Sequence, residues 1–186
     1  MRGCFQALVL LVALLVFAGA VAYMLLTEPP TTALRLTPVV VSNAAVGSFD
    51  GKLATVQAAP APVTVEITEQ EATSKLAEAL AAEPTAPRIE NPQVSFREGK
   101  VYLSGVSRDS PVPVKVVVSG RIEARDGKLT IVVEQIDTGR FPLPGPLRDQ
   151  ITGIASDANS LNEQLPIVVN DVRVLDGRVQ LTGRPK

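Results

Sequence analysis

Three Xaa-Gly dipeptides, each between segments that alternate apolar and polar residues, constrain this chain more than any other feature. They are Glu98-Gly99, Asp126-Gly127 and Asp176-Gly177. A dipeptide of this kind between two alternating segments is a strong short-range signal of a β-hairpin. The sequence therefore predicts three antiparallel hairpins, which pair residues 93–97 with 100–108, 112–124 with 128–138, and 167–175 with 178–183.

The second hairpin is long and has one apolar face. A strand of thirteen residues would extend roughly 43 Å at about 3.3 Å per residue, whereas strands usually have about five or six residues. A sheet of this length must twist and coil, and its apolar face needs a cover. The face comprises Val112, Val114, Val116, Val118, Ile122, Leu129, Ile131 and Val133. Polar residues populate the other face of the first strand: Lys115, Ser119, Arg121 and Glu123.

A helical stripe that follows this hairpin predicts the cover. Six apolar residues have the spacing of one helical face: Leu147, Ile151, Ile154, Ala158, Leu161 and Leu165. A proline-rich loop over 141–146 precedes this helix and places Phe141 and Leu143 at one end of the sheet. These two side chains either line the mouth of a lipid pocket, dip into a bilayer, or plug the core within a strand-to-helix connection.

A further helix is predicted near the start of the domain. Val46, Phe49, Leu53 and Val56 have the spacing of one helical face, and Ser42 is a suitable N-cap. The Asp-Gly pair at 50–51 would also fit a turn.

The clearest sequence signal for a helix in the domain follows directly after a predicted strand. Residues 63–67 alternate as a strand does, and Thr68-Glu-Gln-Glu71 has the pattern of a capping box. An apolar stripe continues the helix until Pro84 and Pro87: Ala72, Leu76, Ala79 and Leu80.

The N-terminal segment predicts the cellular location. Residues 5–26 form an apolar run of 22 residues, and a helix needs about 20 to cross a bilayer. Arg2 in front of the run favours a cytoplasmic N-terminus. We therefore expect a membrane anchor over 1–27, a tether over 28–41, and an extracytoplasmic domain over 42–186. The protein would be a single-pass protein of the cell membrane with its C-terminal domain outside.

A cleaved signal peptide is the alternative interpretation of the same run. Ala20 and Ala22 have the spacing of a cleavage site. Residues 23–26 extend the apolar run beyond that site, which favours the retained anchor. Both interpretations export the domain.

Composition excludes several kinds of chemistry. The chain has no His and one Cys, so a triad with an imidazole base, an imidazole-ligated metal and a thiolate zinc site are all excluded. A net charge of −1 and seven aromatic residues argue against nucleic-acid binding. Capping and solvated helix faces explain Glu69, Glu71 and Glu78. The sequence therefore predicts no catalytic residue, no cofactor and no metal site.

The order of these segments is familiar. An N-terminal anchor is followed by Phe-Asp-Gly-Lys-Leu at 49–53, Ile-Thr-Glu-Gln-Glu at 67–71, the Asp-Gly turn at 126–127, Leu-Pro at 143–144 and the Asp-Gly turn at 176–177. Over residues 42–183 this order resembles the YpmS-like and LmeA-like group of bacterial membrane-tethered envelope proteins. The resemblance implies an extracytoplasmic α+β domain similar in outline to tubular lipid-binding folds. It also implies phospholipid binding, and it transfers no catalytic residue.

These patterns predict an α+β fold, in which amphipathic helices cover a long coiled antiparallel sheet of hairpins, plus one N-terminal transmembrane helix. The leading hypothesis is a non-enzymatic domain that buries a phospholipid or another long apolar ligand between the sheet and the 147–165 helix. The residues expected to line the pocket are Phe141, Leu143, Leu147, Ile151, Ile154, Val116, Val118 and Ile131. The alternative is an envelope scaffold without a ligand, which docks on a protein partner through a sheet edge or face.

Overall fold

Antiparallel strands dominate the described part of the chain. The computed structural model describes residues 36–82, 88–108, 113–139 and 165–186. The elements in chain order are α1 (Asn43–Gln57), β1 (Val63–Thr68), α2 (Glu69–Ala82), β2 (Ile89–Arg97), β3 (Lys100–Ser107), β4 (Val114–Arg125), β5 (Lys128–Asp137), β6 (Ile167–Leu175) and β7 (Arg178–Pro185). The predicted α+β class and the three predicted hairpins are confirmed.

The strands belong to two sheets. One has the order β1-β7-β6 and the other β2-β3-β4-β5, and every described pairing is antiparallel. The expectation of one long sheet is therefore corrected. The last hairpin pairs with β1 along all six residues of that strand, from Val63 opposite Gly183 to Thr68 opposite Arg178, and thereby forms a separate sheet.

The first two hairpin turns have the backbone that their dipeptides predict. Glu98 and Gly99 have φ of 53° and 74°, and Asp126 and Gly127 have φ of 51° and 77°. Positive φ at both central residues is the requirement of a type I′ turn, whose twist matches that of the flanking strands. In the third turn Gly177, with φ of 82°, takes the left-handed position.

Three β-bulges change the alternation of the strands. The register shifts opposite Ser119 and Gly120 in β5, between Glu90 and Gln93 in β2, and between Val169 and Asp171 in β6. A bulge inserts one residue, so apolar residues an odd number of positions apart can share one face. The pairs concerned are Val133 and Ile136, Ile89 and Val94, and Val169 and Val172.

The hydrophobic core lies between the two sheets. Its buried members are Val56, Val65, Ile67, Val94, Phe96, Val101, Ile167, Val169, Val179 and Leu181. The long sheet contributes one end of the β4–β5 hairpin, through Ile122, Ala124 and Leu129. The hairpin turn itself contacts β6, because the Val169 N–H donates to the Gly127 carbonyl at 3.0 Å. This turn is therefore a point of attachment between the sheets.

Helix α2 closes the outer edge of β2. The Thr73 hydroxyl accepts from the Val94 N–H at 2.9 Å and donates to the Val94 carbonyl at 3.3 Å. The Glu69 carboxylate accepts from the Phe96 N–H at 2.7 Å, and the Phe96 carbonyl accepts from the Gly177 N–H at 3.0 Å. An unpaired strand edge invites association with other chains, and the side chains of α2 together with the Gly177 N–H satisfy the edge at Val94 and Phe96 instead.

The capping box of α2 is confirmed. The Thr68 N–H donates to the Glu71 carboxylate at 2.9 Å, and the Glu71 N–H donates to the Thr68 hydroxyl at 3.3 Å. Ala72 and Leu76 of the predicted stripe pack against the core, whereas Ala79 is exposed, and Thr73 and Ser74 are buried although the stripe did not include them. The reason is that α2 packs against a strand edge, which requires hydrogen-bonding side chains.

Helix α1 begins where the sequence predicts. Ser42 is the N-cap, and its hydroxyl accepts from the Ala45 N–H at 3.2 Å. Val56 is buried, and Phe49 packs against the core from the same helix. The predicted helical face is thus confirmed, and the Asp-Gly pair at 50–51 lies inside the helix.

Several sequence predictions fall outside the described residues. They concern the anchor over 1–27, the tether up to residue 35, and the loop and helix over 141–164. Neither described helix is long and apolar enough to span a membrane.

Candidate functional site

The four-stranded sheet has one continuous apolar face. Val118 on β4 lies opposite Leu103 on β3 and Ile136 on β5, while Ile122 lies opposite Ile131. Directly opposed residues share a face of a sheet, as do alternate residues of one strand. The register therefore brings the predicted site residues Val116, Val118 and Ile131 onto the same face.

This apolar face extends beyond the core that joins the two sheets. Six of its apolar side chains on β4 and β5 are not members of that core, and we call them the distal apolar face: Val114, Val116, Val118, Ile131, Val133 and Ile136. Five of them lie toward the start of β4 and the end of β5, away from the turn that attaches to β6, and Ile131 borders the core opposite Ile122. Val114 and Val116 are buried, and the other four are half-buried.

Gly105 contributes a position without a side chain to this face. It lies opposite Val116 on β4, and a Cβ at this position would overlap Cγ2 of Ile89. The β2 bulge brings the Ile89 side chain to this face. The side chain covers the β3 backbone at Gly105, where any residue larger than glycine would clash with it.

The opposite face of the sheet carries charged residues. Lys100 and Arg121 lie on neighbouring strands, and both contact Glu134, at 2.8 Å from the Lys100 Nζ and 2.6 Å from the Arg121 Nε. Like charges on neighbouring strands destabilise a sheet, and the carboxylate offsets this repulsion. The hydrogen bond from Lys100 is the main reason that the pKa of Glu134 lies below its ordinary value.

Val117 departs from this polar pattern. It points to the charged side by alternation, yet it is only 2 % exposed. The strand β4 is therefore buried on both faces at Val116 and Val117.

The described structure accounts for part of the predicted site. Val116, Val118 and Ile131 are brought together, whereas Phe141, Leu143, Leu147, Ile151 and Ile154 lie outside the described residues and stay predictions. Ile136 belongs to the same face and was missed, because strict alternation from Val133 points to residue 135. The spacing of three between Val133 and Ile136 was the signal for a bulge.

Glu71 is the carboxylate with the most altered acidity among the described residues. It accepts hydrogen bonds from the Lys52 Nζ at 2.8 Å, the Ser48 hydroxyl at 2.6 Å and the Thr68 N–H at 2.9 Å. Burial alone raises the pKa of Glu71, but these bonds outweigh it and lower the pKa from 4.5 to about 2. A group that stays ionised at neutral pH is poorly suited to proton transfer, so Glu71 acts as a structural anion.

The described residues offer little for a metal ion. No group of three or more His, Cys, Asp or Glu side chains within residues 36–82, 88–108, 113–139 and 165–186 is arranged to hold one.

The fold and the site define a class: a sheet-rich α+β domain whose apolar face continues past its own core. The chain belongs to the LmeA-like phospholipid-binding family, whose model matches residues 16–184. The match covers every described helix and strand except the last residue of β7, and it confirms the resemblance to the LmeA-like group. No curated protein and no solved structure matches the chain at a significant level.

Proposed function

We propose that this protein is a membrane-anchored extracytoplasmic domain that binds a phospholipid by its acyl chains and performs no chemistry on it. The observation that carries the proposal is the distal apolar face, which extends beyond the core in a chain of a phospholipid-binding family. The binding surface would be Val114, Val116, Val118, Ile131, Val133 and Ile136, together with the predicted residues of the 141–154 segment.

The driving force would be removal of hydrocarbon from water. Each CH₂ group of an acyl chain contributes about 0.8 kcal/mol when it is buried. The six side chains of the distal apolar face are all Val or Ile, and the Ser107 hydroxyl, opposite Val114, is buried, so the surface would recognise acyl chains more than headgroups. The charged residues Lys100, Arg121 and Glu134 are on the other face of the sheet.

Two arguments support a non-enzymatic role. The chain contains no His to act as a general base. In addition, the strongly perturbed Glu71 is held by Lys52, Ser48 and Thr68, so its oxygens are already committed to hydrogen bonds.

The lipid proposal is tested by native mass spectrometry of the full chain, purified from membranes, followed by lipid extraction. Val118→Asn places an amide on the distal apolar face, and Ser119→Asn places the same amide on the polar face as a matched control. We expect phospholipid on the wild type and on Ser119→Asn, and much less on Val118→Asn. Circular dichroism verifies that both variants fold. A wild-type chain without lipid, or equal lipid on both variants, would contradict the proposal.

The location is tested by the mass of the mature protein and by protease protection. A retained anchor predicts an intact N-terminal segment in the membrane fraction and a domain that external protease digests in cells with a permeable outer layer. A mature chain that begins after Ala22 would instead identify a cleaved signal peptide.

A further inference from the structure

The segment from Leu36 to Ser42 has no regular structure, yet side chains hold its backbone in place. The Val39 N–H donates to Oε1 of Gln93 at 2.7 Å, and Nε2 of Gln93 donates back to the Val39 carbonyl at 3.2 Å. The amide of Gln93 thus pairs with this residue much as a neighbouring strand would.

Two bonds from α2 fix the residues that follow. Nε2 of Gln70 donates to the Val40 carbonyl at 3.1 Å. The Ser42 N–H donates to the hydroxyl of Ser74 at 3.1 Å, and Ser74 is buried. Gln70 and Ser74 lie one turn apart on α2, so the segment is held from both α2 and β2 before α1 begins.

The held segment exposes two apolar side chains. Val40 is 78 % exposed and Val41 is 46 % exposed, the highest values of any large hydrophobic residue in the described part of the chain. Single exposed valines need no explanation. Here, however, the neighbouring N–H of Val39 and the carbonyls of Val39 and Val40 already have partners, which removes part of the cost of bringing this backbone into an apolar phase.

The position of these valines in the chain identifies what they meet. The apolar run of the predicted anchor ends at Leu26, and nine residues separate it from Leu36. Nine residues span at most about 30 Å even when fully extended, and the step from Leu36 to Val40 adds at most about 14 Å. In an anchored protein Val40 therefore stays within reach of the bilayer surface. Residues 36–42 and the residues that hold them, Gln70, Ser74 and Gln93, are uncharged, so they offer no cation to an anionic headgroup.

We infer that Val40 and Val41 rest in the interfacial region of the bilayer, and that Gln70, Ser74 and Gln93 hold them there. The domain then meets the lipid surface with one fixed side. This inference rests on the membrane anchor of the proposed function and is independent of where the lipid ligand binds.

The test places a fluorophore at residue 40 of the full chain. Cys4→Ser removes the native thiol, Val40→Cys accepts an environment-sensitive label, and the protein is reconstituted into phosphatidylcholine vesicles that carry a nitroxide-labelled phosphatidylcholine. Asn170→Cys, at an exposed position on β6, is the matched control. We expect blue-shifted emission and nitroxide quenching at residue 40, and neither at residue 170.

A second pair of variants tests the hydrogen bonds. Gln93→Ala in the Val40→Cys background removes both bonds to Val39 and is expected to reduce the blue shift and the quenching. Gln57→Ala, at an exposed position on α1, is expected to leave both unchanged.

Flotation of the vesicles separates the outcomes. In one outcome the chain floats with the vesicles, but the label at residue 40 has the same emission and the same nitroxide quenching as the label at residue 170. The bilayer contact is then overturned while the anchor stands. If Gln93→Ala has no effect, the assigned role of the hydrogen bonds is overturned. If the chain does not float, the anchor and the contact both fail, and lipid extraction still reports on ligand binding.

Discussion

At the scale of single residues, Glu71 joins three elements of the fold. Lys52 and Ser48 reach it from α1, and Thr68 reaches it from the end of β1. Lys52 also donates to the Glu66 carbonyl at 2.8 Å, so one ammonium group connects α1 to both β1 and α2. The carboxylate must be ionised to accept all of these bonds, which links its charge to the stability of the fold.

The acidity of Glu71 predicts a pH dependence of stability. Its pKa is about 2 in the folded protein against an ordinary 4.5. The stabilisation is therefore complete above pH 4.5 and is lost as the pH falls from 4.5 toward 2. We expect this carboxylate to account for up to about 3 kcal/mol of unfolding free energy, from roughly 1.36 kcal/mol per pKa unit. Urea unfolding across this pH range measures the loss.

Glu71→Gln is the comparison for this profile. The variant is less stable at neutral pH, so the informative quantity is the slope of stability against pH. We expect a shallower slope below pH 4.5 than in the wild type, and identical slopes would refute the assigned role of Glu71.

Thr73 provides a second prediction at the residue scale. Thr73→Val keeps the shape of the side chain but leaves the N–H and the carbonyl of Val94 without the hydroxyl that serves both. We expect a loss of about 2–4 kcal/mol in unfolding free energy, because each buried unpaired group costs about 1–3 kcal/mol. Chemical denaturation measures this loss. Thr64→Val, at an exposed position on β1, should change stability by less than about 1 kcal/mol, and equal losses would contradict the edge-sealing role.

At the scale of elements, the β4–β5 turn packs closely against β6 at Gly127, whereas the β2–β3 turn has no such neighbour at Gly99. A Cβ at Gly127 would lie 2.6 Å from Cγ1 of Val168, whereas a Cβ at Gly99 would meet nothing within 4 Å. Both glycines have similar positive φ, 77° and 74°. The two turns therefore share their backbone requirement and differ in their surroundings.

This difference predicts the result of a matched pair of substitutions. Gly99→Ala tests backbone strain alone and should cost about 1 kcal/mol. Gly127→Ala adds the clash with Val168 and should cost about 1–3 kcal/mol more. Val168→Ala is expected to relieve part of the extra cost, as thermal unfolding of the double variant would show. Equal losses at both glycines would mean that the turn does not depend on its contact with β6.

The same scale shows how much of the fold could be predicted from the sequence. The hairpins and the capping box were predicted because their signals lie within a few neighbouring residues. The pairing of β1 with β7 was not, because it joins residues such as Val63 and Gly183 that are distant along the chain and carry no local signature. The bulges were also missed, although apolar spacings of three, as between Val169 and Val172, indicate them in strands that otherwise alternate.

The candidate site was likewise predicted where the signal is local and missed where it depends on another strand or a bulge. Val116 and Val118 follow simple alternation on one strand, and Ile131 follows from the turn that fixes the register of the hairpin. Ile136 required the bulge, and Gly105 required knowledge of β2, which brings Ile89 over it. Predictions about the 141–154 segment depend on contacts beyond the described residues.

At the scale of the whole molecule, the core and the distal apolar face are adjoining regions of the long sheet, which meet where Val118 lies opposite Leu103 and Ile131 opposite Ile122. Phe96 and Ile122 belong to the core that joins the sheets, whereas Val116 and Val118 do not. Stability and ligand binding should therefore respond to different substitutions.

Two alanine variants test this separation. Phe96→Ala is expected to cost about 3–5 kcal/mol of unfolding free energy, as truncation of a buried aromatic does. Val118→Ala, at a half-buried position, is expected to cost about 1 kcal/mol and to lower the amount of co-purified phospholipid. Thermal unfolding and lipid extraction on the same preparations give both quantities. A large loss of stability with unchanged lipid in Val118→Ala would contradict the separation.

The placement of the core at one end of the long sheet has an evolutionary consequence. Residues such as Phe96, Ile122 and Leu129 are constrained together, since each supports the contact between the two sheets. Residues at the start of β4 and the end of β5 have no share in that constraint and can change in size from one species to another. Members of the family are expected to diverge in their preferred ligand through these strand ends, while they keep the same architecture.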